Sequence, residues 1–242
     1  MGPGAAGPTF TLVMDPPGGD VMIMATLTQD TAVGIDRAER FFGAPFPRTV
    51  RVIVHGDRAR LDAHWRAQWH EPAFTSECWM VGMGLADELS LLSPARWRDQ
   101  ACEHDPDDAA AIARLVAHEL VHTYHQQRNA TIADDDAAGE ALAWFVEGVA
   151  TYVSGQLDDG HLAPAADAIR DGAAPTRLAD AYRGTYRYGV SGSLVAFLDA
   201  TLGRAALVRM LSATTPTELL AIAGMDEPTL LARWLAWALS RP

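Results

Sequence analysis

The residues best placed to do chemistry lie in the run His118-Glu119-Leu120-Val121-His122. Two histidines four positions apart stand one above the other on a helix, about one turn apart, so both rings can reach a single cation. Glu119 points about 100° around the helix from His118, beside the pair. A carboxylate there can take a proton from water held on that cation. Imidazole pairs with open coordination positions suit Zn²⁺. The same spacing also occurs on solvated helix faces. Here, however, Leu115, Val116, Ala117, Leu120 and Val121 surround the trio. Two histidines and a glutamate among such neighbours are costly unless bound or paired.

A zinc site needs a third protein ligand. His125 is nearest in sequence, but it lies seven residues after His118, roughly 10 Å along a straight helix, so the three rings cannot converge on one ion. It reads as a polar neighbour, or as a partner to a ligand. The continuation H-x-x-G-x-x-H is absent, since His125 and Arg128 stand where its Gly and last His belong, and a metzincin is rejected. The following segment, Ala137 to Ser154, has helical spacing with Glu140, Trp144, Glu147 and Thr151 on one face. Leu142, Val146, Val149 and Val153 look towards a core. Glu147 precedes the small residues Gly148-Val149-Ala150, which would let this helix approach the first. Twenty-four residues lie between His122 and Glu147, enough for a reversing loop through Asp134-Asp135-Asp136. Glu140 is the rival ligand, but an acid near a helix start is favoured there by the dipole alone.

His118-Glu119-Leu120-Val121-His122 followed by Trp144-Phe145-Val146-Glu147-Gly148-Val149-Ala150-Thr151-Tyr152 resembles the paired motifs of the gluzincin metallopeptidases. In particular it resembles the small bacterial peptidase MA-like proteins, whose second motif reads W-x-x-E-G-x-A-x-Y. The likeness runs from about Phe41-Phe42-Gly43-Ala44-Pro45-Phe46-Pro47 to Leu239. It takes in Val81-Gly82-Met83-Gly84-Leu85-Ala86-Asp87, and a late helix from Tyr188-Gly189-Val190-Ser191 to Phe197-Leu198-Asp199-Ala200-Thr201-Leu202-Gly203. The resemblance implies a thermolysin-like fold, with a cleft between a sheet lobe and a helical lobe. It implies zinc held by His118, His122 and Glu147, with Glu119 as the base that hydrolyses peptide bonds in a peptide or protein substrate. It also implies Tyr188 as the donor to the oxyanion, with Tyr186 as runner-up; plain packing of the Tyr182 to Tyr188 cluster is the competing reading. Gly82 and Gly84 are the substrate-binding positions it suggests.

The chain departs from that pattern in two places. Thr151 stands where relatives often carry an acid that orients a zinc histidine; a hydroxyl polarises the ring less. The G-A-M-E-N motif of related aminopeptidases is missing, which weakens an aminopeptidase reading and leaves only Asp87 or Glu88 to meet a free amine. A second function class therefore stands beside the peptidase: a zinc protein with weak or no catalysis, whose cleft binds peptides or regulates. A metal-free scaffold is disfavoured by the cost of burying the trio.

These residues need elements to hold them. Phe10 to Met14 and Val21 to Leu27 are β-rich runs around the turn signal Asp15 to Asp20, which predicts a hairpin. Asp30 to Phe42 has helical spacing and ends at Gly43. Thr49 to His55 alternates as a half-buried strand, and Asp57 caps a helix to about Trp69. Cys78 to Leu92 reads as two short strands around a Gly-rich bend; the strand Leu85 to Leu92 is suited to pairing with an extended peptide, with an edge covered by protein as the competing reading. Beyond Asp105-Pro106-Asp107-Asp108, a helix start, nearly everything reads as helix. Strands first and helices after predict an α+β class. The chain is expected to form a single domain over 1–242, with an N-terminal mixed-sheet lobe at 1–104 and a helical lobe at 105–242.

The 242 residues are 49% hydrophobic and 21% charged, a globular balance rather than a disordered one. Nineteen basic residues, all Arg, stand against thirty-one acidic ones for a formal charge of −12. Such a chain repels phosphate backbones and anionic lipid, so neither nucleic acid nor a membrane surface is an expected partner. With no basic or apolar run at Met1 to Pro8, a cytoplasmic location is expected. Cys78 and Cys102 cannot build a disulfide framework. They read first as buried thiols, with one bridge as the alternative.

Overall fold

The computed structural model of the chain describes residues 9–18, 20–134, 136–157 and 159–240. The Gly/Pro-rich start at 1–8, Gly19 in the expected hairpin turn and Asp135 in the expected reversing loop lie outside the described residues. The class is α+β, as expected. In chain order the elements are β1 (Phe10–Asp15), α1 (Val21–Phe42), β2 (Val50–His55), α2 (Arg58–Trp69), β3 (Gly82–Leu85), β4 (Glu88–Leu92) and α3 (Trp97–Gln100). The helices α4 (Ala109–Arg128), α5 (Ala130–Asp134), α6 (Asp136–Ala141), α7 (Ala143–Ser154), α8 (Asp159–Arg170) and α9 (Arg187–Leu202) follow. The last three are α10 (Arg204–Met210), α11 (Pro216–Ala223) and α12 (Glu227–Leu239).

The sheet has the order β1-β2-β4-β3. β1 and β2 are parallel, as are β2 and β4; β3 returns antiparallel along β4. Parallel neighbours need a long crossover, usually a helix. α1 supplies the first crossover and α2 lies in the second. Val21 to Leu27 is accordingly the first part of α1, not the second arm of a hairpin. Asp20 accepts the amides of Met22 and Ile23, and Leu27, Thr31, Ile35, Ala38 and Phe42 then bury one helical seam. That 3.6-residue period overrides the β-branched composition of the first turns. Asp57 caps α2 through the Arg60 amide at 2.9 Å, as expected.

β2 is buried along its length except at Arg51, because it is an inner parallel strand covered on both faces. The pleat of β4 shows the two coverings. Ser90 receives the Trp65 indole N–H from α2 at 2.8 Å. Leu91, next along the strand, points with Gly82 towards Leu115 and Glu119 of α4. β4 has neighbours on both sides, so a peptide cannot add to it; the edge strand on this side is β3.

One contiguous apolar core runs from Leu27 in α1 to Ala238 in α12. α1 packs on α4 and α7, and α7 packs on α4 and α9, so helices from both halves of the sequence share it. The predicted helix Ala137 to Ser154 is divided at Leu142 into α6 and α7. Cys78 and Cys102 form a disulfide rather than two thiols. Among the described residues, no helix is long and apolar enough to cross a membrane.

Candidate metal centre

Asp108 starts α4 by accepting the Ala111 amide at 2.9 Å. The helix then passes through the centre of the molecule, buried at ten of the twelve positions from Val116 to Gln127. α1 comes against it closely: a Cβ on Gly34 would lie 2.7 Å from Leu120 Cδ1 and 3.2 Å from Ala117 Cα. On another face, His118 and His122 meet Glu147 of α7. His118 Nε2 is 3.0 Å from His122 Nε2, and the two nitrogens lie 3.3 Å and 3.6 Å from Glu147 Oε2. A tetrahedral ion with bonds of about 2.0–2.1 Å separates its ligand atoms by about 3.3 Å. The three observed distances bracket that edge, so the donor set fits a metal of this kind. Among the described residues, His118, His122 and Glu147 form the one group of three side chains with this capacity. Three ligands leave the fourth tetrahedral position open, as in catalytic sites.

The charges are arranged accordingly. Burial opposes ionisation of both partners, but each holds the other charged. Glu147 lifts the His122 imidazole to about 9, and His122 with His118 keeps the Glu147 carboxyl far below the usual carboxylate range. Glu140, on the separate helix α6, is exposed. His125 points elsewhere, with Nε2 3.0 Å from the Leu211 carbonyl oxygen.

Gly148, the first small residue after Glu147, serves a different neighbour from the one expected. A Cβ on Gly148 would come within 2.5 Å of the Ser191 carbonyl oxygen, so this glycine lets α7 onto α9 rather than onto α4. Thr151 is buried with its methyl group facing Gly192 of α9. Among the described residues its hydroxyl has no hydrogen-bond partner, and neither has His118 Nδ1. The weaker support that a hydroxyl could give a zinc histidine is therefore not made either.

Glu119 is held from the sheet. Its Oε2 accepts the Gly84 amide at 2.8 Å, and Gln126 donates to the Gly84 carbonyl at 3.2 Å. A Cβ on Gly84 would lie 1.9 Å from the Glu119 carbonyl oxygen, so only glycine lets β3 lie against α4 here. Gly84 thus spends its outward backbone groups on α4. Gly82 is two residues along the same edge, where a Cβ would lie 3.4 Å from Glu119 Cγ.

Tyr188 is brought to the ligands and Tyr186 is not. The Tyr188 ring is 6.0 Å from the His118 ring and 5.4 Å from that of Tyr182. Tyr186 is 43% exposed. Burial and the charge of Glu147 push the hydroxyls of Tyr182 and Tyr188 up, so both remain proton donors. His161 of α8 packs its ring 6.1 Å from Tyr188. Sequence reasoning gave Tyr182 and Arg187 no role, yet both belong to this cluster. The only sequence signal was the density of aromatic and Arg residues from Tyr182 to Tyr188.

Comparison of the chain with protein-family models, with curated proteins and with solved structures finds no match.

Proposed function

We propose that the protein is a zinc-dependent metallopeptidase of thermolysin-like architecture. The observation that carries this reading is the junction of two features: a three-ligand group with tetrahedral-edge spacing and, one residue from His118, a carboxylate tied to a sheet edge. A purely structural zinc site fills all four positions with protein ligands and has no use for a poised acid. The edge strand β3 above the ligand helix, and a second helix delivering the glutamate, support the architecture.

When bound by His118, His122 and Glu147, zinc supplies a Lewis acid and lowers the pKa of water towards about 7. Glu119 then accepts the proton of the attacking water and passes it to the departing amide nitrogen. The Gly84 amide keeps its carboxylate aimed during both transfers. Tyr188, kept protonated by burial, donates to the developing oxyanion. The substrate is a peptide or protein strand laid along the β3 edge beside Gly82. The Cys78–Cys102 bridge supports an oxidising compartment for this work in place of the cytoplasmic one expected, since such bridges are rare in reducing cytosol.

Glu119→Gln tests the assignment. We expect the variant to bind one zinc per chain by elemental analysis and to lose about 10²–10⁴-fold in hydrolysis of a mixed peptide library. A wild-type protein that holds zinc yet cleaves nothing would transfer the reading to a peptide-binding zinc module.

A further inference from the structure

Arg187 opens α9 immediately before Tyr188. Its guanidinium carbon is 5.1 Å from the Tyr188 ring centroid, 5.7 Å from that of Tyr182 and 5.4 Å from that of Trp79. The Tyr188 ring that this cation meets is itself 6.0 Å from the His118 ring. Other arginines of this acidic chain hold aspartates: Arg48 with Asp87, Arg98 with Asp107, Arg204 with Asp199. Among the described residues no carboxylate pairs with Arg187; its guanidinium meets the hydroxyls of Tyr182 and Tyr188, and its Nε is buried without a hydrogen-bond partner. A guanidinium is a planar fork that matches a carboxylate through two parallel N–H···O bonds, and aromatic rings around it fix its orientation.

Trp79 is presented to this cation from a fixed loop. Cys78 is bridged to Cys102, and Arg58 donates to the carbonyls of Glu77, Cys78 and Met80. His104 Nε2 lies 2.8 Å from the Trp79 carbonyl oxygen. With its backbone held this firmly, the indole is nevertheless 38% exposed. It is a wall facing solvent, not a core residue.

We propose that Arg187, flanked by Trp79, Tyr182 and Tyr188, binds a carboxylate of the substrate close to the bond that is cleaved. The cleft then selects peptides carrying that group, from a chain terminus or an acidic side chain. This rests on the peptidase reading for the word substrate, but the binding preference can be measured without turnover.

The probes are four N-acetyl tripeptides: Ala-Ala-Glu and Ala-Ala-Gln, each with a free or an amidated C-terminus. Calorimetric binding to zinc-loaded Glu119→Gln protein is compared with binding to the same protein carrying Arg187→Gln or Arg187→Lys in addition. At least one carboxylate-bearing probe should bind about 10- to 100-fold more tightly than amidated Ala-Ala-Gln, the range of a hydrogen bond to a charged group. Which probe does so separates the terminal source from the side-chain source. Arg187→Gln should abolish that ratio and Arg187→Lys should keep part of it, with zinc content unchanged in both. Absence of the ratio, or its survival in Arg187→Gln because the carboxylate sits on the metal alone, would overturn the proposal. Failure of the peptidase reading looks different: the ratio persists and wild-type protein leaves all four probes intact.

Discussion

Glu147 is the only acid of α7, and it faces two imidazoles that are themselves one helical turn apart. Glu140, its rival in the sequence, sits exposed on another helix. Replacing a ligand costs more than replacing a residue that merely orients one, for which 10–100-fold in affinity is common. We therefore expect Glu147→Gln to weaken zinc binding by at least about 100-fold in equilibrium dialysis, while Glu140→Gln stays within twofold of wild type. Equal losses would remove Glu147 from the ligand set. The legibility of the site follows distance along the chain. The His118-Glu119-His122 trio is fixed by helical geometry within five residues, and Glu147 follows on α7 after only twenty-four intervening residues. Arg187 and Trp79 meet across more than a hundred residues, through a disulfide and a sheet crossover, and no local spacing announces such a meeting. Thr151 shows the limit of a motif: the sequence marks it as a departure, but only the fold shows that its methyl group faces Gly192 and its hydroxyl meets no histidine.

At the scale of elements, close approaches set by glycine hold the ligand helices in register. Gly148 is helical, so its role is space rather than backbone freedom. Gly148→Ala puts a methyl group 2.5 Å from the Ser191 carbonyl oxygen, closer than real contacts allow. Overpacking of this kind costs about 1–3 kcal/mol, and at roughly 2–4 °C per kcal/mol thermal unfolding should fall by several degrees. An unchanged Tm would mean that α7 and α9 part without cost. α4 carries a second test. Burial holds the His125 imidazole down at about 4, against about 6.5 in an unfolded chain. The folded protein therefore favours the neutral ring. Its contribution is complete above about pH 6.5 and is lost as pH falls towards about 4, reaching on the order of 2 kcal/mol by pH 5. His125→Gln keeps a donor for the Leu211 carbonyl but does not titrate. In chelator-treated protein, the drop in Tm from pH 7 to pH 5 should be smaller for the variant than for wild type; identical drops would contradict the assignment. Elements with one clear period or cap were legible, as α2 and α4 show. α1 was split because its first turns are rich in β-branched and Met residues, and only the buried seam that continues to Phe42 reveals a single helix.

The whole molecule does not divide where its sequence changes character. Among the described residues every strand precedes residue 104 and only helices follow it, which suggests two lobes that could separate. α1 belongs to the first half, yet it lies against α4 and α7, and β3 reaches across to hold Glu119. The apolar core is contiguous through both halves, so neither can open without exposing the face of the other. Small units coupled in this way unfold together. Indole fluorescence, which reports the sheet half through Trp65 and the helical half through Trp144 and Trp234, should therefore trace the same thermal transition as far-UV circular dichroism. Metal should move that transition as a unit, because its ligands come from α4 and α7, which pack on each other and between them on α1, α9 and β3. With free zinc at 1,000 times its dissociation constant, the native state gains about 4 kcal/mol. At roughly 2–4 °C per kcal/mol this is a rise of about 8–16 °C over chelator-treated protein, and it should be shared by both probes. Two transitions, with zinc raising only one of them, would instead show a helical part that folds around its metal independently of the sheet.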